Sequence, residues 1–375
     1  MNLVKKKLKE NQKLCVVVKA DAYGLGAKKI CKTLSGVADY FAVSSVKEFF
    51  DIKWLTNKPI LLLDPIYENI TKVARFGCEF CVSNLSQFEL VLKEAKRNKK
   101  VVYKIHIKIN SGMNRFGFSS IDDIMKVLEL SSKTQNIFVF GVFSHFFDAK
   151  SSKFAENQLE FVNNIKNIIT KKYHLKRTIF HISNSDGLEN FCEFDMARIG
   201  MKIYDDTMFE TIKWTAKVVE IQTLKKGETT GYSRGFVAKQ ETKIAVVQVG
   251  YADGIMRRIA GRGFVLIHDK FCKILAVCMD SIMVDITGEK VGLYDDVVLL
   301  GTDKENQIFI CDMASWCDTI GYEIITRISQ RVKRKYKSGE ICKLLLENIE
   351  HESLLALTPK QQDRHLQESK NQSLI

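Results

Sequence analysis

Val16-Val17-Val18-Lys19-Ala20-Asp21-Ala22-Tyr23-Gly24-Leu25-Gly26 sets the frame for everything around it. Three β-branched apolar residues in a row read as a strand buried on both faces, as in a parallel sheet. The glycines after Tyr23 suit a tight turn from strand into helix. A lysine at the end of such a strand is odd, because lysine is rarely buried without a partner. Two readings fit it. Lys19 is a strand-end side chain that snorkels to solvent, or it is a desolvated amine whose lowered pKa makes it nucleophilic enough to hold an aldehyde.

The βα texture continues outward from this stretch. Candidate strands are Cys15–Lys19, Tyr40–Ser44, Ile60–Asp64, Glu79–Ser83, Tyr103–Ile109, Phe138–His145, Thr178–Ser183 and Met196–Gly200. Helical stretches fall between them, for example Ser44–Leu55, Asn84–Lys96, Ile121–Leu130 and Lys153–Lys171. Eight such units in about 210 residues predict an N-terminal TIM (β/α)8 barrel, with an open doubly wound sheet as the alternative. After about Phe209 the pattern changes to short β-branched runs, among them Val218–Leu224, Lys243–Gly250, Phe264–Ile267, Lys273–Val277, Met283–Ile286 and Asp296–Leu300. They predict a mainly-β C-terminal domain, interrupted by one helix near Ile308–Trp316. The expected domains are therefore 1–211, 212–348 and a polar tail, 349–375.

Composition narrows the function. A chain of 375 residues with 46 % hydrophobic content supports two cored domains and excludes wholesale disorder. No apolar run approaches the roughly 18 residues of a membrane span. The run Leu14–Val18 is too short for a signal-peptide core, so a cytoplasmic protein is expected. Ten cysteines at irregular spacing are expected to be reduced there. Cys78-Glu79-Phe80-Cys81 has no second pair at zinc spacing, so it reads as small core residues and no metal is expected. The formal net charge of +13 raises nucleic acid as a partner. The lysines are spread, as at Lys166, Lys171, Lys172 and Lys176, and the dense patch Arg331–Lys337 is short. A solvated lysine-rich face is the better reading, with no nucleic acid.

Polar residues collect where a TIM barrel places its active site, at the C-terminal ends of strands. Lys19 and Tyr23 end the first strand. Lys108, Arg115 and Asn110-Ser111-Gly112-Met113-Asn114 follow the fifth. Ser144-His145 ends the sixth, Ser183-Asn184-Ser185 the seventh and Arg198-Ile199-Gly200 the eighth. Any one is weak: a lone His145 fits a satisfied core histidine, and Arg198 a surface ion pair. Together they point to one face.

In wording and order these segments resemble the alanine racemase family, over roughly Leu14–Arg334. VVVKADAYGLG is similar to that family's pyridoxal-phosphate lysine motif. Lys108 with Ser111–Arg115 resembles its lysine–(D)TGM–arginine segment, and His181-Ile182-Ser183-Asn184-Ser185 its H-x-x-N-S segment. The resemblance implies pyridoxal 5'-phosphate as cofactor, with Lys19 catalytic and carrying it. It implies cofactor contacts from Tyr23, His145, Asn184, Ser185, Arg198, Gly200, Met201 and Gln330. Arg115 would help place the substrate carboxylate, and Lys108 would carry a carbamate. Arg198 would face the pyridine nitrogen. An arginine only donates, so the ring would be a weak electron sink and simple proton return at Cα would be favoured.

The second domain carries the rest of the likeness. Gly231-Tyr232-Ser233-Arg234 looks like the family's catalytic-tyrosine segment, Gly250-Tyr251-Ala252-Asp253-Gly254 its GYADG segment and Cys278-Met279-Asp280 its CMD segment. Racemisation needs an acid/base on each face of a planar intermediate. By resemblance Lys19 serves one face and Tyr232 the other, with Tyr232, Tyr251, Met279 and Asp280 coming from the partner of a head-to-tail homodimer. The implied activity is L-alanine to D-alanine interconversion for peptidoglycan. The alternatives are serine or another amino acid on the same machinery, and a non-catalytic pyridoxal-phosphate carrier. Four departures stand out. Gln330 replaces a family tyrosine, Ser233 a glycine and Asn110 an aspartate, and Met1–Asn11 reads as a helix without the family's usual first strand.

Overall fold

The computed structural model describes residues 7–173, 178–188, 191, 194–200 and 212–336. The predicted barrel is present. Strands β1 (Lys13–Val17), β2 (Tyr40–Val43), β3 (Ile60–Leu62), β4 (Glu79–Val82), β5 (Tyr103–Lys108), β6 (Ile137–Phe143), β7 (Ile179–His181) and β8 (Met196–Ile199) form one eight-stranded sheet. Neighbours run parallel in the order β7-β6-β5-β4-β3-β2-β1-β8. The ends meet through Asp195 N–H to Phe180 O at 2.9 Å and Arg198 N–H to Ser183 O at 3.0 Å. Eight strands with joined ends correspond to a barrel and not to an open doubly wound sheet.

Local chemistry fixes the outer helices α1 (Ala27–Leu34), α2 (Val46–Ile52), α3 (Ile70–Arg75), α4 (Leu85–Arg97), α5 (Ile121–Ser132) and α6 (Ser152–Lys172). Ser45 and Glu48 form a capping box on α2, Asn84 caps α4 and Ser120 caps α5. The main core lies between the strands and these helices, from Leu14, Phe41 and Phe80 to Val127 and Val162. The barrel interior is filled differently. Cys15, Tyr40, Leu61 and Met196 share it with the buried polar residues Glu79, His106, Lys108, His181 and Arg198. Cys78, just before β4, and Cys81, on it, are both buried, and burial pushes the Cys81 thiol up to about 12.

The second domain is antiparallel. Strands β9 (Trp214–Leu224), β12 (Thr242–Val247), β13 (Phe264–Ile267), β14 (Lys270–Val277), β15 (Ile282–Asp285), β16 (Asp296–Asp303) and β17 (Asn306–Ile308) are ordered β13-β14-β15-β12-β9-β16-β17. A further β13–β16 pairing closes the sheet on itself. The short ribbon β10 (Thr229–Thr230) and β11 (Phe236–Val237) brackets Tyr232. The predicted helix is α7 (Ile310–Cys317). It is followed by a second, α8 (Gly321–Arg327), which the sequence reading left out. The junction expected after residue 211 and the tail 349–375 lie outside the described residues. Among the described residues no helix is long and apolar enough to cross a membrane, and no cluster of three His, Cys, Asp or Glu is placed to hold a metal.

Candidate active site

β1 stops at Val17, so Lys19 is not a strand residue as expected. It opens a turn in which Ala20, Asp21, Ala22 and Tyr23 all take left-handed conformations, with φ between 51° and 57°. L-residues resist this region by roughly 1–2 kcal/mol each. External bonds hold the turn. Glu48 accepts from Ala20 N–H at 2.9 Å while also capping α2, and Asp21 accepts from Ala27 N–H at 2.8 Å. The turn begins before the glycines, so their contribution is to leave it, through Gly24 at φ 84° and Gly26 at φ 96°.

The turn delivers Lys19 and Tyr23 to a cleft of about 180 Å³ at the C-terminal ends of the barrel strands. Lys108, Arg115, His145, Asn184, Ser185, Arg198 and Gly200 reach the same cleft. Burial lowers the Lys19 pKa, opposed by the negative charge of Asp64 and assisted by Arg115. The amine is thereby drawn toward its neutral, nucleophilic form.

Arg198 is buried, and both of its Nη atoms are bonded to neutral acceptors. Its Nη1 lies 2.6 Å from His181 Nδ1, and its Nη2 donates to Ser144 O at 2.7 Å and Ile182 O at 3.1 Å. Nη2 also lies 3.1 Å from His145 Nδ1. A guanidinium has no acceptor, so both histidine Nδ1 atoms accept. Burial and then Arg198 hold His145 and His181 well below the usual histidine range, so both are neutral. His145 therefore carries its proton on Nε2. Burial brings Arg198 itself down to about 10, which leaves it charged at neutral pH.

Lys108 ends β5 with its ammonium 4.4 Å from the Phe143 ring centroid and 5.7 Å from that of Phe116. Burial, and then Arg198, push its pKa down to about 7. Arg115 follows on an exposed loop, stacked 4.9 Å from the Phe116 centroid. Asn110 organises that loop: its Oδ1 accepts from Asn114 N–H at 3.0 Å and its Nδ2 donates to Ser119 Oγ at 3.1 Å.

The same cleft holds a small polar cradle. Ser185 Oγ accepts from Gly200 N–H at 3.2 Å, and a Cβ at Gly200 would sit 2.1 Å from the Tyr23 hydroxyl. The cleft thus offers a desolvated amine, backbone and hydroxyl donors, and the cations Arg115 and Arg198. That donor set fits a ligand carrying both an aldehyde and an anionic group.

Not every expected residue arrives. Tyr232, Tyr251, Met279 and Asp280 do not line this cleft in their own chain. All four belong to the second domain, where Tyr251, Met279 and Asp280 are neighbours and Tyr232 is exposed. Tyr251 N–H donates to Cys278 O at 3.0 Å, Ala252 N–H to Met279 O at 3.0 Å, and Arg331 ties Asp280 at 2.8 Å to Asp253 at 3.5 Å. Gln330 is exposed and is also absent from the cleft lining. Met201 lies outside the described residues. Conversely, Asp64, Phe116 and Tyr322 line the cleft without having been singled out. Asp64 closely follows β3, where the strand-end rule would have found it. Tyr322 comes from α8 and packs edge-on against Tyr23 with centroids 6.3 Å apart, a contact no local pattern announces.

Two family models cover nearly all of this architecture: the alanine racemase N-terminal domain over residues 1–207 and the alanine racemase C-terminal domain over residues 211–336. The chain belongs to the alanine racemase family. It is 31 % identical over 364 residues to alanine racemase 1 of Caldanaerobacter subterraneus subsp. tengcongensis, covering 90 % of this chain and 93 % of that one. It is 32 % identical over 348 residues to the alanine racemase of Lactococcus lactis subsp. lactis, covering 89 % and 93 %. The crystal structure of alanine racemase from E. faecalis superposes with a TM-score of 0.80 at 26 % identity, over 90 % of this chain and 95 % of that one. That of Bacillus anthracis with bound L-Ala-P superposes with 0.79 at 26 % identity, over 89 % and 92 %. Alanine racemases thus share both the barrel that carries Lys19 and the β domain that carries Tyr232.

Proposed function

We infer that this chain is an alanine racemase that uses pyridoxal 5'-phosphate and interconverts L- and D-alanine, supplying D-alanine for peptidoglycan in the cytoplasm. The observation that carries the reading is the desolvated Lys19 facing the cleft with Arg198, Ser185 and Gly200, in a chain of this family. When bound, the cofactor supplies an electron-withdrawing ring and aldehyde that acidify the Cα–H of an amino acid.

The chain's own residues do the rest. Lys19 would hold the aldehyde until the substrate's own amine displaces it, and the freed neutral amine would then take or return a proton on one face of Cα. Ser185 and the Gly200 N–H bind the phosphate beside Tyr23. His145, with its proton on Nε2, and Arg198 would hold the ring, and an arginine at the ring nitrogen would donate without being able to protonate it fully. Proton return at Cα is then favoured over transfer deeper into the ring. Arg115 takes the substrate carboxylate. Lys108, with its pKa near 7, presents a neutral amine able to take up carbon dioxide as a carbamate, which would neutralise the surplus of cations around it.

The second base is assigned to Tyr232 of a partner subunit. Tyr232 is 70 % exposed, Met279 50 % and Tyr251 40 % in the single chain. Large apolar side chains gathered on one exposed surface mark an interaction site. A homodimer that seats this surface over the partner's cleft would bring Tyr232 opposite Lys19.

The deciding experiment records an absorbance spectrum of the purified protein and then adds L-alanine with chiral detection of D-alanine. A chromophore that borohydride abolishes, with D-alanine appearing, is expected. A chromophore with no D-alanine would shift the assignment to serine or another amino acid, and no chromophore would overturn the cofactor.

A further inference from the structure

A single hydrogen-bond chain crosses the barrel interior beneath the cleft. His181 Nε2 lies 3.1 Å from His106 Nδ1, and His106 Nε2 lies 2.9 Å from Glu79 Oε2. β5 and β7 are not neighbours, since β6 runs between them, so the two imidazoles meet only through the interior. β6 makes room for this. Its Gly141 pairs with His106, and a Cβ there would lie 2.1 Å from His106 Nδ1. Glu79, His106 and His181 are each about 1 % exposed or less.

The direction of the chain follows from its first member. Arg198 only donates, so His181 Nδ1 accepts and the neutral ring carries its proton on Nε2. That proton goes to His106 Nδ1, which leaves the His106 proton on Nε2, donated to Glu79. Every link points from Arg198 toward the carboxylate. Among the described residues no carboxylate forms an ion pair with Arg198 directly. Glu79 has two other partners, the Tyr40 hydroxyl and, at 4.0 Å, the one-third-exposed Lys104 ammonium.

We propose that Glu79 is a positioning residue for Arg198, acting through His106 and His181 as one oriented unit. Arg198, which only donates, and Glu79, which only accepts, impose the same direction from opposite ends, so the two imidazoles are locked between them and the guanidinium keeps one orientation toward the ring nitrogen. The proposal rests on the reading of Arg198 given above. Its physical basis is that a buried charge bonded only to neutral groups is held in place by an oriented network ending in an opposite charge.

The test uses the full-length protein labelled with 15N-histidine. In the wild type His181 is expected to show a single tautomer, protonated on Nε2. Glu79→Gln preserves shape, but its amide can turn either end toward His106, so chain direction is no longer imposed from that end. Where the amide N–H faces His106 both rings must reverse and Arg198 must leave His181 Nδ1, so a second His181 tautomer is expected to appear together with a displaced guanidinium. In the cofactor-loaded protein the absorption maximum should shift, and kcat should fall on the order of ten-fold or more with KM little changed. His106→Asn cuts the chain in the middle, and combined with Glu79→Gln it should do no more damage than the worse single change. A His181 tautomer and absorption maximum that stay at wild-type values in Glu79→Gln would overturn the proposal, even if thermal stability drops. So would strictly additive effects of the two substitutions. A wild type that makes no D-alanine would instead remove the racemase reading and leave the tautomer result standing.

Discussion

Arg334 donates from Nε to the carbonyl of Gly24 at 2.8 Å, so the β domain grips the turn that carries Lys19. The rest of its guanidinium is spent on Ile328 O and Val332 O at 2.8 Å and Ser329 O at 2.9 Å. The Tyr336 hydroxyl adds a bond to Leu25 O at 2.9 Å. A left-handed run of four residues survives only where its surroundings over-determine it. Arg334→Lys keeps the charge but loses the fork that reaches both domains. It is expected to lower stability by about 2 kcal/mol and to lower kcat through a misplaced Lys19. Denaturant unfolding and steady-state kinetics on the same sample check both. Unchanged kcat would show that Glu48 and Asp21 hold the turn unaided.

Gly200→Ala tests the cradle. The added methyl would fall 2.1 Å from the Tyr23 hydroxyl, and Tyr23 sits in the constrained turn, packed on Tyr322. Neither side gives way cheaply, so Tyr23 should be displaced and the Gly200 N–H moved off its line to Ser185. Cofactor affinity, followed by titration of the chromophore, is expected to weaken by ten-fold or more on the scale of one lost charge-assisted hydrogen bond, about 1.5–3 kcal/mol. Retained wild-type affinity would place the anion elsewhere.

Lys108 makes a prediction with a definite sign in pH. Its folded pKa is about 7 against an ordinary 10.5, so between those values the unfolded chain binds a proton that the folded chain does not. Stability from this group therefore rises with pH across that window. Below about pH 7 both states are protonated, and the penalty of the buried cation is fully present. Lys108→Met in carbon-dioxide-free buffer should melt above wild type at pH 6, by an amount on the order of a few kcal/mol. The gap should close by about pH 10. Bicarbonate should stabilise and activate the wild type more strongly above pH 7, where the neutral amine dominates, and should do neither for Lys108→Met. Thermal melts at several pH values, with and without bicarbonate, give the answer.

The parts of this molecule that a one-dimensional pattern encodes were legible in the sequence, and the parts made by tertiary meeting were not. Val16–Val18 and Phe41–Val43 are continuous apolar runs, so β1 and β2 declared themselves. Arg198, Ser185 and Lys108 follow the strand-end rule, and all three line the cleft. The left-handed turn gave no signal, because Ala20 and Ala22 are residues that normally avoid positive φ and a single Asp21 between them, though more tolerant of it, does not mark a run. Tyr322 was invisible because it enters from another domain. His106 did carry a hint. Lys104, His106 and Lys108 alternate with the apolar Tyr103, Ile105 and Ile107 on β5. In a parallel barrel strand buried on both faces, such alternation marks polar residues inside the barrel. Glu79 belongs with them, and only the structure joins it to Arg198 through two rings.

Shared sites make a prediction that separates a homodimer with exchanged tyrosines from any self-contained site. Tyr232 is 70 % exposed and is absent from its own chain's cleft, whereas Lys19 lines it. Tyr232→Phe removes the hydroxyl proposed as one base while leaving the ring, and Lys19→Ala removes the amine proposed as the other. Each variant alone should be nearly inactive as a homodimer, because both of its sites carry a lesion. When the two are unfolded together and refolded as an equal mixture, random pairing gives about half hybrids. In a hybrid one site holds both lesions and the other holds none, so each hybrid works at about half the wild-type rate. The mixture should therefore recover about a quarter of wild-type activity. Mixing the two variants without dissociating them should recover little. No recovery after refolding, with dimers confirmed by light scattering, would mean that Lys19 and Tyr232 do not act across the subunit interface.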